Sequence, residues 1–264
     1  MRTTIAIVRR ELGVYLTTII AYCGFGLMSF MTGLLFVSQL SRFQQIADAA
    51  VARQDPSVLE RMNVNDMILG PTQSSQLWLF LFFVPFITMR LIAEEKAQRT
   101  FELLMSSPVR SIEVVLGKFF AVGVLIGILA LLPLIYPVIL DAYGNGSRGG
   151  GAVEWAPVWS STLSVFLLGL TYASIGLLCS SVADSQIVAA LLTFAVLFGG
   201  YLLPVMAARV EGDWRYFLEY AAPVTHVGRG MEGRVHVKDL VYFATVILAS
   251  LALTHRVVES HRWR

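Results

Sequence analysis

The sequence predicts an all-α protein that crosses a membrane several times, and its composition and hydropathy pattern are the reasons. Of its 264 residues, 56% are hydrophobic and 14% are charged, whereas soluble domains carry about 25% charged residues. The apolar residues form continuous runs of about 20 residues, which is the length that a helix needs to cross hydrocarbon, and they do not alternate with polar residues as in a membrane barrel. Because backbone polar groups in lipid must find partners within the protein, we expect these runs to be helices.

Six runs are long enough to span a membrane. Within one transmembrane domain of residues 1–264, they cover residues 16–40, 74–91, 119–140, 158–183, 187–207 and 240–257. The last run is the weakest, because His255 and Arg256 interrupt its end. Pro85 lies in the second run, and Pro133 and Pro137 lie in the third. Proline removes a helical hydrogen bond, so these two spans are expected to be kinked or loosened.

Residues 1–15 are too polar to span a membrane, and their pattern predicts an interfacial helix. Their apolar residues recur at helical spacing, while Arg9 and Arg10 lie elsewhere on the helical wheel. This pattern is typical of a helix that lies along a membrane surface. The apolar positions are Ile5, Val8, Leu12 and Tyr15. The alternative is a frayed basic tail.

The basic residues predict how the chain is oriented. If the N-terminus is cytoplasmic, the short segments on that side are dense in Lys and Arg, as the positive-inside rule requires. Six spans then place the C-terminus in the cytoplasm as well. The net charge of +2 fits a basic bias next to the membrane rather than a nucleic-acid surface.

The densest cluster of charge lies between the second and third spans, in residues 92–113. A charged helical segment cannot enter hydrocarbon, so it must lie in water against the membrane face, covalently joined to a span on each side. That is the arrangement a membrane protein needs if a soluble partner is to push on it.

Several kinds of chemistry are not indicated. Cys23 and Cys179 both fall within spans and are not placed for a disulfide or a metal site. The glycine-rich residues 144–151 have no lysine nearby, so they do not form a phosphate-binding P-loop. The predicted span interiors carry no ionisable residue, which disfavours gradient-coupled transport. No charged or aromatic cluster marks a substrate cavity, and we expect the chain to bind no cofactor of its own.

An intramembrane protease is a weaker alternative. Glu94, Glu95 and Arg99 match an E-E-x-x-x-R pattern in which paired carboxylates help to activate water. Such enzymes also need F-x-x-x-H and H-x-x-x-N elements. No histidine here has phenylalanine four positions before it, and no asparagine follows a histidine in that register, so the carboxylates lack catalytic partners.

The charged segment resembles the cytoplasmic loop of ABC-2-type transporter permeases, with the pattern E-E-K-x-x-x-T-x-E-x-L-x-x-x-P from Glu94 to Pro108. The six-span layout and the N-terminal helix are similar too. Within that family the chain is most similar to the gliding-motility-associated and copper-processing permeases of bacteria. The resemblance implies a type V exporter-like fold in the bacterial inner membrane.

The resemblance also implies partners. It implies two permease subunits, in the simplest arrangement a homodimer, and each is served by a separate cytoplasmic ATPase that binds ATP and Mg²⁺. It also implies an extracytoplasmic auxiliary subunit. A coupling helix around Glu94–Met105 would sit in a cleft of the ATPase. Its contact residues would be Glu94, Glu95, Arg99, Thr100, Phe101, Glu102, Leu104, Met105 and Pro108. Two alternatives remain: a solvated helix without a partner, and a membrane scaffold that anchors an ATPase without transporting anything.

Overall fold

The computed structural model describes residues 2–60, 62–99, 110–143, 153–231 and 233–262. Within these ranges all regular secondary structure is helical. Six helical segments are long enough and apolar enough to cross a membrane. The predicted all-α, six-span architecture is therefore confirmed.

The first half of the chain contains the N-terminal helix and three candidate spans. Its helices are α1 (Arg2–Thr17), α2 (Ile19–Ala52), α3 (Pro56–Glu60), α4 (Gly70–Thr88), α5 (Ala93–Ala97), α6 (Ser111–Leu131) and α7 (Ile135–Tyr143). A π-helical turn, Asn65–Leu69, leads into α4, and a 3₁₀ turn, Leu132–Leu134, joins α6 to α7. Pro133 lies in that 3₁₀ turn, so the third span is interrupted where the proline predicts.

The second half contains three spans and a helical connection. Its helices are α8 (Trp155–Val182), α9 (Gln186–Ala207), α10 (Asp213–Ala221), α11 (Pro223–Met231) and α12 (Val237–Arg262). Three residues separate α8 from α9, and the Ser185 side chain accepts a hydrogen bond from the backbone N–H of Val188, as an N-cap does. Helix α12 continues past Arg256, and Nε2 of His255 lies 3.1 Å from the carboxylate of Glu259 in its last turns.

Helix α8 is the centre of the molecule. It packs against α4, α6, α9, α11 and α12, and 67% of its most apolar stretch is buried. Small residues permit this packing. A Cβ atom added at Gly176 would lie 2.7 Å from the Cβ of Thr88 in α4, and one added at Gly169 would lie 2.8 Å from the ring of Phe80.

Helices α2 and α9 lie at the periphery. Only 17% of the most apolar stretch of each is buried within the chain. Most of their surface therefore faces lipid or another protein.

Candidate functional site

The structure places the start of the predicted coupling segment in a compact ionic cluster. Here α5 meets α1, the end of α4, the start of α6 and the end of α8. We call this cluster the charged junction. It consists of Glu11, Arg90, Glu94, Glu95, Lys96 and Lys118.

Helix α5 is attached to α8 through its first backbone groups. The backbone N–H groups of Ile92 and Ala93 both donate to the hydroxyl of Ser180, each at 3.1 Å. That hydroxyl in turn lies 3.3 Å from the carbonyl of Met89. The first N–H groups of a helix have no partner within it, so a serine from another helix satisfies them here. The start of α5 is thereby fixed to the end of α8.

Lys118 joins three helices. Its ammonium group donates to Glu11 of α1 at 2.9 Å and to Glu95 of α5 at 2.8 Å. Lys118 itself, in α6, is only 2% exposed. A buried charge is costly unless it is paired, and two carboxylates from two other helices provide the pairing. This side chain therefore couples the positions of α1, α5 and α6.

Two further contacts complete the junction. Arg90, in the turn that follows α4, forms an ion pair of 2.8 Å with Glu94 of α5. Lys96 donates to the backbone carbonyl of Ser181, near the end of α8. The ammonium group of Lys96 thus binds a carbonyl that has no hydrogen-bond partner within α8. Its positive charge also interacts favourably with the negative end of the α8 dipole.

Helix α1 packs against α6. The hydroxyl of Tyr15 donates to the carbonyl of Ile87 at 2.8 Å, and burial, reinforced by Glu11, raises the pKa of this hydroxyl above its usual value. A Cβ atom added at Gly117 would lie 2.8 Å from Ile7, so α1 and α6 approach closely. Of the four apolar positions, Tyr15 is buried, Val8 and Leu12 are partly buried, and Ile5 is exposed.

The predicted contact residues are only partly within the described structure. Arg9 and Arg10 lie on the exposed side of α1. Glu94 and Glu95 face ion-pair partners of this chain. Arg99 has a positive φ of 56°, a left-handed conformation that ends helices. The remaining residues, Thr100, Phe101, Glu102, Leu104, Met105 and Pro108, lie outside the described residues.

The described residues do not form one continuous helix from Glu94 onward. The sequence predicts a helix around Glu94–Met105, but α5 ends at Ala97. Arg99, two residues after the end of α5, has a left-handed backbone that does not continue a helix.

Sequence reasoning missed Glu11, Lys118 and Ser180. Each lies on a helix far from α5 along the chain, so no local pattern links them to it. One signal was present: Lys118 lies next to a long apolar run, and a lysine in that position needs a nearby partner.

A second ionic cluster connects α11 to α12. His226 is 2% exposed, and its Nδ1 lies 2.7 Å from the carboxylate of Asp239 while its Nε2 lies 2.9 Å from the carbonyl of Tyr220. The ring stacks on Tyr242 at 3.9 Å. Arg229 also binds Asp239, and this hydrogen bond raises the pKa of its guanidinium. The cluster fixes the short helix α11 to the start of α12.

Comparison with known families decides the class of protein. A model of the family described as "ABC-2 family transporter protein" matches residues 60–254, which is well over half of the chain. This chain belongs to the ABC-2 transporter family. A comparison with curated proteins finds no sequence that matches it.

Family membership gives the charged junction a context. The chain is a membrane-embedded permease component of an ABC transporter, and its family implies an ABC ATPase as partner and a lipid bilayer as surroundings. The matched residues include the last turns of α4, all of α5 and all of α6. Among the residues that the structure describes, no group of three or more His, Cys, Asp or Glu side chains is placed to hold a metal ion.

Proposed function

We propose that this permease couples ATP hydrolysis by a separate cytoplasmic ATPase to movement of a substrate across the membrane, and that it receives the motion at residues 92–113. The observation that carries the proposal is the pairing of Lys118 with both Glu11 and Glu95. A displacement of α5 must either move α1 and α6 or break a buried ionic contact.

The geometry supports transmission from α5 into the membrane domain. Ser180 binds the start of α5 to α8, and α8 packs against five other helices. Arg90 extends the ionic contacts into the last turn before α5. Force applied to α5 would therefore reach the central helix as well as the two helices that Lys118 joins.

The ATPase contact itself is assigned to the residues that follow α5. The carboxylates of Glu94 and Glu95 are engaged by Arg90 and Lys118, so they anchor the segment to the permease. The residues that would enter the ATPase cleft are then Phe101, Glu102, Leu104, Met105 and Pro108. An apolar ridge with charges at its rim suits a groove on a soluble partner.

The positions of the basic residues support a membrane topology for the permease. Arg9, Arg10, Arg90, Lys96 and Lys118 all lie on α1 or around the charged junction. A surface so rich in basic residues is expected on the cytoplasmic side. Both termini would be cytoplasmic, and the membrane would be the bacterial inner membrane.

The exposed helices α2 and α9 are the proposed contact with a second permease subunit. Their apolar stretches are the least buried of the six candidate spans. On α9, Ile187 and Leu191 are examples of large apolar side chains that are exposed. A homodimer would cover part of this surface.

ATP and Mg²⁺ would bind the partner ATPase. An extracytoplasmic auxiliary subunit, and a place among the gliding-motility or copper-processing permeases, rest on the sequence resemblance.

The double substitution Phe101→Asp with Glu102→Arg tests the proposal. It should abolish co-purification of the ATPase while membrane insertion is unchanged, because it reverses the charge and removes the apolar contact in the proposed docking segment. The measurement is recovery of the ATPase with tagged permease from detergent-solubilised membranes.

A matched control is available on α10. Phe217→Asp with Glu219→Arg makes the same two changes on an exposed helix, and ATPase recovery should be unaffected. Equal recovery from the two double variants would refute docking at residues 92–113. Substrate-stimulated ATP hydrolysis in reconstituted vesicles then separates a transporter from a scaffold, since a scaffold shows no stimulation.

A further inference from the structure

A cavity of about 300 Å³ opens beside the charged junction, between α1, α2, α4 and α6. Its lining is aromatic and aliphatic almost throughout, with Phe25, Phe83 and Leu129 among the contributors. The proposed coupling mechanism uses Arg90 at its edge but not the cavity itself. We infer that it binds one acyl chain of a bilayer phospholipid, whose phosphate group contacts the guanidinium of Arg90.

The cavity has one polar end and one apolar end. Tyr15, Thr18 and Arg90 lie at the polar end, where α1 stops and α2 begins. Thr18 has an extended backbone, so the chain turns there from the N-terminal helix into the first span. The lining runs along α4 from Phe82 to Ile87, a distance of about 8 Å along the helix, and continues to Arg90 in the turn that follows α4. This polarity matches that of a phospholipid.

The cavity opens sideways on surfaces that face out of the chain. Leu27, Phe82 and Phe86 line it and are also about half or more exposed. In a bilayer such an opening meets hydrocarbon, and water has no polar partner within the apolar part. An acyl chain is therefore the occupant whose chemistry fits an apolar cavity that opens into the bilayer.

Charge complementarity places the headgroup. Among the described residues that line the cavity, Arg90 is the one Lys or Arg, and none is Asp or Glu. Glu94 accepts from two nitrogens of Arg90, and a guanidinium has five N–H groups, so donors remain for a phosphate. Arginine suits such an acceptor because its planar fork matches phosphate geometry.

The test uses a phospholipid with a photoactivatable group in its acyl chain, in vesicles of phosphatidylglycerol and phosphatidylcholine. After illumination of purified permease in these vesicles, mass spectrometry locates the labelled peptides. Label should concentrate on the peptides around Gly24 and Phe83. No ATPase is needed, so failure of the ATPase-docking proposal would not affect this result.

Two glycines of α2 provide a matched pair of variants. A Cβ atom at Gly24 would point into the cavity, 3.4 Å from Phe83, whereas one at Gly26 would meet nothing within 4 Å. Gly24→Phe should remove most of the label near Phe83, and Gly26→Phe should leave it unchanged. If Gly24→Phe does not fold, Gly24→Leu makes the same comparison with a smaller side chain.

A second pair of variants tests the headgroup. Arg90→Gln and Glu94→Gln both break the Arg90–Glu94 ion pair, but only Arg90→Gln removes the cation. Arg90→Gln should reduce the preference for phosphatidylglycerol over phosphatidylcholine about five-fold, and Glu94→Gln should not reduce it.

Three results would overturn the inference. Label spread evenly over α2, α4 and α9 would mean that no site exists. A change in oligomeric state with Gly24→Phe, without loss of label, would identify the cavity as a contact between copies. A preference for phosphatidylglycerol that Arg90→Gln does not reduce would exclude the headgroup contact with Arg90.

Discussion

At the scale of single residues, Lys118 shows how one buried charge organises a membrane protein. Its ammonium group binds two carboxylates that lie on different helices. A buried pair does not by itself raise stability, because desolvation offsets the attraction. Its contribution is to specify position: α1 and α5 are held where their carboxylates reach the same cation. The sequence shows Lys118 beside an apolar run, but it could not name the two partners.

Replacing Lys118 with methionine should destabilise the permease by about 3 kcal/mol, because two partly buried carboxylates lose their counter-ion. Thermal unfolding of purified protein in detergent measures this. Lys238→Met, at an exposed position, is the control and should change stability little. Adding Glu11→Gln and Glu95→Gln to Lys118→Met should restore part of the lost stability. No restoration would mean that Lys118 acts through packing rather than charge.

At the scale of helices, the fold depends on close approach to α8. Gly176 and Gly169 of α8 lie against side chains of α4 and α6, and Ser180 near its end binds α5. The helices themselves could be predicted, because a run of about 20 apolar residues is sufficient to identify a span. The contacts could not be predicted, since each depends on which faces of two distant helices meet. The early end of α5 was missed for a different reason: a non-glycine residue, Arg99, adopts the left-handed conformation.

Substitution of alanine at two glycines should separate close packing from helix propensity. Gly176→Ala should destabilise the permease by about 1–3 kcal/mol, because the new methyl group overlaps Thr88. Gly199→Ala, in α9 where nothing lies within 4 Å, should be neutral or slightly stabilising. The midpoints of thermal unfolding compare the two. Destabilisation of equal size at both positions would show that α4 and α8 are not closely packed in solution.

At the scale of the whole molecule, the described residues contain six candidate spans, of which α8 is the central one, and two ionic clusters mark different parts of the chain. The charged junction joins α1, α5 and α6, whereas His226, Arg229 and Asp239 join α11 to α12. If the termini are cytoplasmic, the charged junction is also cytoplasmic and helices α10 and α11 lie on the opposite side. The exposed aromatic residues of α10 include Trp214 and Tyr216. They would then lie at the membrane–water boundary on the extracytoplasmic side, and aromatic residues are enriched at such boundaries.

Labelling of single cysteines should establish this orientation. In a variant with Cys23 and Cys179 replaced by serine, Trp214→Cys should react with a membrane-impermeant maleimide on spheroplasts. Arg10→Cys should react only after the membrane is permeabilised. The reverse pattern would place the charged junction outside the cell, where no ATPase could act on it.

The sequence by itself determined the class of protein, the number of spans and the position of the charged segment between two of them. These properties follow from the transfer of apolar residues and charges between water and lipid, which depends on local composition. Only the tertiary structure decided that Glu95 faces Lys118, that Ser180 caps α5 and that Arg229 binds Asp239. Those contacts join residues that are separated along the chain, and their distances are set by how the helices pack.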